Sequence, residues 1–316
     1  MRPTGMAIWG LIIALLMSVS PGVADDAPQP TRDDYLRLAQ TGWVFELSSS
    51  RKRRSPAFPP IRFNSGEVAK GEICLFGAPP HALSRQIIGV FNDLLRDIYD
   101  RRLAVTFAGR DISNCPSRQR VYVRLYDDRL PTALYRADLV QLDHDFDIRL
   151  PSHGAQPVAT PAQVNVFFGA VGPVAHLLVN QPDHRDLTRL ERDYFTSILI
   201  EELFQVVSFG RDVAKFDAET PFLSKLQERP VNLRLLPWQS ESFMAGLLKS
   251  NPSGLCAFDV FMLHSLAAAN LETVNSDELI VFIKAHFDEL LDRSVRTLDN
   301  PAYRPLLDQR CLALPR

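Results

Sequence analysis

Beyond its first two dozen residues the chain has no run of about 20 apolar residues, which excludes a later transmembrane helix. There is no basic excess either. Lys and Arg number 35 against 37 Asp and Glu, a formal net charge of −2, and that balance offers nothing to a nucleic acid. No two cysteines stand in C-x-x-C spacing, so cysteine-based metal ligation has no support. The 15 glycines form neither a phosphate-cradling loop nor a dinucleotide fingerprint, and no G-x-S-x-G nucleophile elbow occurs. His81, His153, His176, His184, His264 and His286 are scattered singly, as structural or solvent-facing histidines usually are.

What is present begins with an export signal. Arg2 precedes an apolar stretch at residues 7–19, and small residues lead to a cleavage point after Ala24. The apolar stretch is too short to span a bilayer, and no cysteine follows it to carry a lipid. Residues 1–24 are therefore expected to be removed, leaving a periplasmic or secreted protein. In an oxidising compartment an even number of cysteines favours disulfides. Cys74, Cys115, Cys256 and Cys311 allow more than one pairing. The local one, Cys74–Cys115 with Cys256–Cys311, staples each half of the chain to itself and is preferred.

The mature chain divides by pattern. Residues 25–68 read as an exposed lead-in with a short helix capped by Thr31 and a basic run at residues 51–54, a solvated loop open to proteolysis. Residues 69–212 carry strand patterns at 72–76, 104–108 and 121–126, a helical repeat at 83–98, and a hairpin about Gly172 and Pro173. Asp143, Asp145 and Asp147 are expected on one face of a further strand. They do not make an EF-hand loop, because Ile148 and Gly154 stand where Gly and Glu are needed. Residues 213–316 turn helical, with starts at Pro221, Ser240, Cys256 and Asn275 and a coil tail tied by Cys311. The fold class that follows is α+β: a mixed sheet, a central buried helix and a mainly helical C-terminal lobe.

The central helix holds the most informative residues. Thr188 and Glu191 make a T-x-x-E capping box, residues 194–209 are mostly large and apolar, and Gly210 suits the left-handed residue that closes a helix. Glu201, Glu202 and Gln205 fall within one arc of about 100° on this helix. Buried carboxylates are costly unless paired or metal-bound, so that arc is expected to face a cleft. The spacing is that of H-E-x-x-H with both zinc-binding histidines replaced: Glu201-Glu202-x-x-Gln205 keeps the general-base Glu, while Gln is a poor zinc ligand.

On these residues the chain resembles zincin-type metallopeptidases. It is more closely similar to a bacterial family of secreted proteins of unknown function, whose core segment reads Glu-Glu-hydrophobic-x-Gln, then a Gly and an Asn-Asp pair. Glu201, Glu202, Leu203, Gln205 and Asp212 match that segment, whereas Ser208 and Arg211 depart from it. Ser224, Leu226 and Gln227, and Phe261, Met262 and Leu263, are also similar, so the likeness covers roughly residues 72–270. It implies a zincin-like fold and an exported protein, and no established activity.

Three roles compete for the Glu-Glu-x-x-Gln frame. In a metal-dependent peptidase Glu202 is the general base, and Glu201, Gln205 and Asp212 or Asp217 complete a zinc site. In a binding module the same cleft holds a peptide or cell-envelope component without metal, through Glu201, Glu202, Gln205 and Asp212. In a structural role the two glutamates pair with Arg189 or Arg192. Loss of both imidazoles favours the binding module, with no cofactor.

Overall fold

The computed structural model describes residues 29–45, 63–101, 104–117, 119–150, 158 and 160–316. The export signal at 1–24 and the basic run at 51–54 lie outside the described residues. The alternating segments become strands β1 (Ile73–Gly77), β2 (Val105–Phe107) and β3 (Val121–Tyr126). The Gly172 turn joins β4 (Ala162–Gly169) to β5 (Gly172–Asn180) as an antiparallel hairpin. Together they form a five-stranded sheet of order β2-β1-β3-β5-β4, parallel throughout except for β4 at one edge.

Period-two alternation sorts the side chains of this sheet to its two faces. Leu75, Val123, Leu177 and Val179 pack in one cluster with helices α3 (Ala82–Tyr99) and α5 (Arg189–Ser208). Phe76, Tyr122, His176 and Leu178 point the other way, towards α4 (Thr132–Phe146). With both faces covered, β3 is buried at every residue, as a central parallel strand requires. The result is the expected α+β class with a mixed sheet.

A buried ionic cluster holds α4 to its face. Arg124 on β3 donates to both oxygens of Asp138, at 2.5 and 2.6 Å, while Nε2 of His176 lies 3.0 Å from the same carboxylate. Arg124, Asp138 and His176 are each buried, so His176 is a structural histidine, as its isolation in sequence suggested.

Four local expectations are corrected. The segment carrying Asp143, Asp145 and Asp147 is the end of α4 and its C-cap and not a strand, so those acids do not line one strand face. Its buried residues, Tyr135, Leu139, Leu142 and Phe146, recur at helical spacing, which the alternating acids obscured. The lead-in is not exposed where α1 (Arg32–Trp43) forms: Tyr35 packs edge-on against Phe258 and Phe261 at 5.0 and 5.2 Å, and Trp43 is buried. Helix α5 closes with Phe209, not Gly210, in the left-handed conformation (φ 57°). Gly210 answers to space instead, since a Cβ there would meet Leu226 Cδ1 at 2.4 Å and Trp43 Cζ2 at 2.7 Å. Pro221 starts no helix; residues 221–224 are irregular and a turn at 225–226 leads into β7 (Gln227–Glu228), which pairs with β6 (Val213–Ala214).

The remaining helices follow the sequence pattern. They are α2 (Ser65–Ala69), packed on α5, then α6 (Glu241–Ser250) after the Ser240 cap, α7 (Ala257–Ala268) and α8 (Asp277–Leu298). Both disulfides are the local ones, Cys74–Cys115 and Cys256–Cys311. Among the described residues no helix is long and apolar enough to cross a membrane.

The buried cluster yields a direct test. Asp138→Ala leaves the Arg124 guanidinium without its counter-ion, and breaking such a pair typically costs about 3–5 kcal/mol. Denaturant unfolding should show that loss, and a change within about 0.5 kcal/mol would contradict the assigned role.

Candidate functional site

Helix α5 is apolar around most of its circumference, and 12 of its 20 residues are buried. Its polar arc faces a cavity of about 240 Å³. Ile198, Glu201, Glu202 and Gln205 form one wall, residues 160–164 at the start of β4 form another, and Asp212, Glu228, Leu247 and Asn251 complete the lining. The expected residues Glu201, Glu202, Gln205 and Asp212 are therefore brought together. Asp217 is elsewhere, accepting from Thr220 and the Glu219 amide.

Within the cavity each acid has a different environment. Glu201 is paired with Lys225, whose Nζ lies 2.9 Å from Oε2, and Asn251 Nδ2 donates to the same oxygen at 2.7 Å. Arg189 and Arg192 are not its partners. Lys225 is fully buried and also donates to Ser197 Oγ at 2.9 Å and the Pro252 carbonyl at 2.6 Å, so its three donors are all used. Gln205 Nε2 donates to Asp212 Oδ1 at 2.5 Å, which turns the amide towards the mouth.

Glu202 has one oxygen, Oε2, out of reach of water and without a partner. Burial, then the neighbouring Glu201 and Asp212, raise its carboxyl well above the ordinary range, against a hydrogen bond from the Val164 amide. Burial and Glu201 push Asp212 up to about 6, and burial with Asp212 and Glu201 pushes Glu228 up to about 7. Beneath Lys225, Asp259 accepts from Ser224 Oγ and from the amides of Lys225 and Cys256, capping α7. Its burial raises it to about 7 despite those bonds.

The residues fit zinc poorly. Among the described residues Glu201, Asp212 and Glu228 offer oxygens within 4.8 Å of one another, but no imidazole or thiolate lines the cavity. Zinc sites draw most of their affinity from nitrogen and sulfur donors. The Lys225 ammonium moreover supplies Glu201 with the positive charge a metal would bring. What the arrangement does offer is an acidic recess, with protons held on some of its carboxyls near neutral pH. No family model, curated protein or solved structure matches this chain.

Lys225, Glu228 and Asn251 were not anticipated from sequence. The Ser224, Leu226 and Gln227 similarity flanks Lys225, and a lone Lys between buried neighbours was the available signal. Glu228 and Asn251 arrive only through chain folding.

The raised carboxyls set a pH dependence. Glu228 holds its proton more tightly when folded than unfolded. Its unfavourable contribution is therefore absent below about pH 4.5 and grows as pH rises through about 7. After solvent screening the effect is about 1 kcal/mol, so Glu228→Gln should raise the melting temperature by about 2–4 °C at pH 8 and leave it unchanged at pH 4. Glu202→Gln should be at least as stable as wild type at neutral pH, because it imitates the protonated form. Thermal melts across pH check both, and destabilisation by either variant at pH 8 contradicts the assignment.

Proposed function

We propose that this chain is an exported binding module of zincin-like architecture. An extended peptide or cell-envelope component lies along β4 and presents a cationic group to the acidic cavity. The observation that carries this is the union of an edge strand with the recess, although the outward Val164 amide already donates to Glu202 and the Ala162 carbonyl accepts from Thr160 Oγ1. The Asn180 amide bonds the Pro161 carbonyl at 2.8 Å, and this register turns the backbone groups of Ala162, Val164 and Val166 away from β5. Among the described residues no other strand pairs with β4. Residues 162–164 line the same cavity as Glu201, Asp212 and Glu228, so a peptide that pairs with the outward Ala162 amide and Val166 groups and displaces the Glu202 contact at Val164 would carry a side chain directly to the acids.

A zinc-dependent peptidase with Glu202 as general base is the alternative, supported by the mutual proximity of Glu201, Asp212 and Glu228. It sits less well with the site. A general base works in its ionised form, and burial with the neighbouring Glu201 and Asp212 shifts Glu202 away from that form by raising its carboxyl well above the ordinary range.

Calorimetry with extended peptides that differ only in a central Lys or norleucine, combined with elemental analysis of the full chain, separates the two. Binding should favour Lys and tighten from pH 5.5 to 8, since an arriving cation favours the ionised forms of Asp212 and Glu228. Ala162→Pro should weaken it by at least about tenfold while leaving the β4–β5 ladder intact, because that amide faces outward. Wild type and Glu202→Gln should both lack stoichiometric zinc. Stoichiometric zinc in the wild type, with peptide cleavage lost in Glu202→Gln, would sink the binding module in favour of the peptidase.

A further inference from the structure

A second cavity, of about 430 Å³, opens around the first turns of α5. It lies roughly 12 Å along the helix from the acidic recess, given the rise per residue between Tyr194 and Glu202. None of its lining residues belongs to the first site. Asp127, Asp128 and Arg129 reach it from the end of β3, and residues 180–184 reach it from the end of β5. Trp238 and Met244 close the third side. Ligands of open sheets gather in such crevices, beyond the carboxyl ends of parallel strands, and this volume lies within the usual range of about 300–1,000 Å³.

The chemistry of the walls narrows the ligand. The inner wall is aromatic: Tyr194 and Phe195 are buried, Trp238 is half-buried, and Tyr194 is braced edge-on by Phe243 at 6.2 Å. The Tyr194 hydroxyl has no hydrogen-bond partner. The rim, by contrast, is densely polar, with Asp127, Asp128, Asp183 and Arg129 exposed and Asn180 half-buried. An anion does not suit it. The start of α5 is already occupied by its own capping box, Glu191 accepting from the Thr188 amide and hydroxyl at 2.8 Å, and acids outnumber bases around the opening. A purely apolar ligand would strip water from those carboxylates without return. A ring with an apolar face and hydroxyls around its edge satisfies both surfaces, since each carboxylate accepts from more than one O–H and the indole offers a flat face. His184, held by Asp183 at 2.7 Å and near Glu191 at 3.5 Å, makes the remaining wall a fixed polar one.

We propose that this cavity binds a neutral mono- or disaccharide, one sugar face resting on Trp238 and its hydroxyls donating to Asp127 and Asp128. The two sites on α5 then serve different ligands, and the second does not depend on the function proposed for the first.

The test titrates the full chain with maltose, cellobiose and N,N′-diacetylchitobiose, and separately with choline as a cationic probe of the same aromatic wall. Saturation-transfer NMR and tryptophan fluorescence are the readouts. At least one saccharide should bind saturably. Trp238→Ala and Asp128→Asn should each weaken it by about tenfold or more; Asp128→Asn, at an exposed side chain, should do so without lowering the melting temperature, which keeps the test independent of any loss of packing at Trp238. Glu202→Gln, in the other cavity, should leave sugar binding unchanged. The proposal is overturned if none of the three saccharides binds saturably, if binding survives both substitutions, or if choline alone binds.

Discussion

The burial of the Lys225 ammonium is the constraint on which the arrangement of the site depends. Removing an ammonium from water costs several kcal/mol, and the folded chain offsets that only by surrounding it completely. Glu201 and Ser197 come from α5, and the Pro252 carbonyl comes from the link between α6 and α7. Asp259 fixes the Lys225 backbone from the first turn of α7. One side chain thereby sets the position of α5 against the C-terminal helices. The segment 221–226 is irregular rather than the helix its Pro suggested, and the Ser224 hydroxyl and Lys225 amide are both spent on Asp259.

The same ammonium governs the chemistry. Glu201 stands where a zinc ligand of the H-E-x-x-H frame would stand, yet its charge is met by an internal cation and an amide. Glu202, one residue on, is left with an oxygen that neither water nor a donor reaches, and its carboxyl is raised well above the ordinary range by that burial and by Glu201. The acids nearer the opening, Asp212 and Glu228, retain capacity to meet a cation from outside. The acids of the cavity are therefore divided between Glu201, met by an internal cation, and Asp212 and Glu228 nearer the opening, which are not. Strand β4 lies beside both, and its edge can orient a ligand with respect to them.

Helix α5 serves as pillar and as wall at once. Its apolar surface joins a core that includes Tyr35 from α1 and Leu306 near the C-terminus, so α1 and the described tail are both packed on the helical part of the molecule. Its charged residues are confined to two places, the capped first turns and the Glu201–Glu202 pair. A cavity opens at each. The Arg124–Asp138–His176 cluster plays a comparable part on the far face of the sheet, where it replaces apolar contact with a directed ionic one.

Much of this was legible in the residues alone, because it depends on short-range periodicity. Alternating or β-branched runs marked β2 and β3, Gly172 and Pro173 marked the hairpin, the Thr188 and Glu191 box marked the start of α5, and the wheel placed Glu201, Glu202 and Gln205 on one arc. The local cysteine pairing was preferred on economy, and the fold adopts it. Other features had no local signature. Acids at alternate positions hid the helical spacing of Tyr135, Leu139, Leu142 and Phe146, and the burial of α1 depends on aromatic partners more than 200 residues away. Above all, a sequence pattern states which charges exist but not which of them meet. The sequence by itself determined an acidic arc on a buried helix. Only the tertiary structure decided that Lys225 would answer it, because a counter-ion is chosen by distance in space, and Lys225 comes within 2.9 Å of Glu201 only after the chain has folded back on α5.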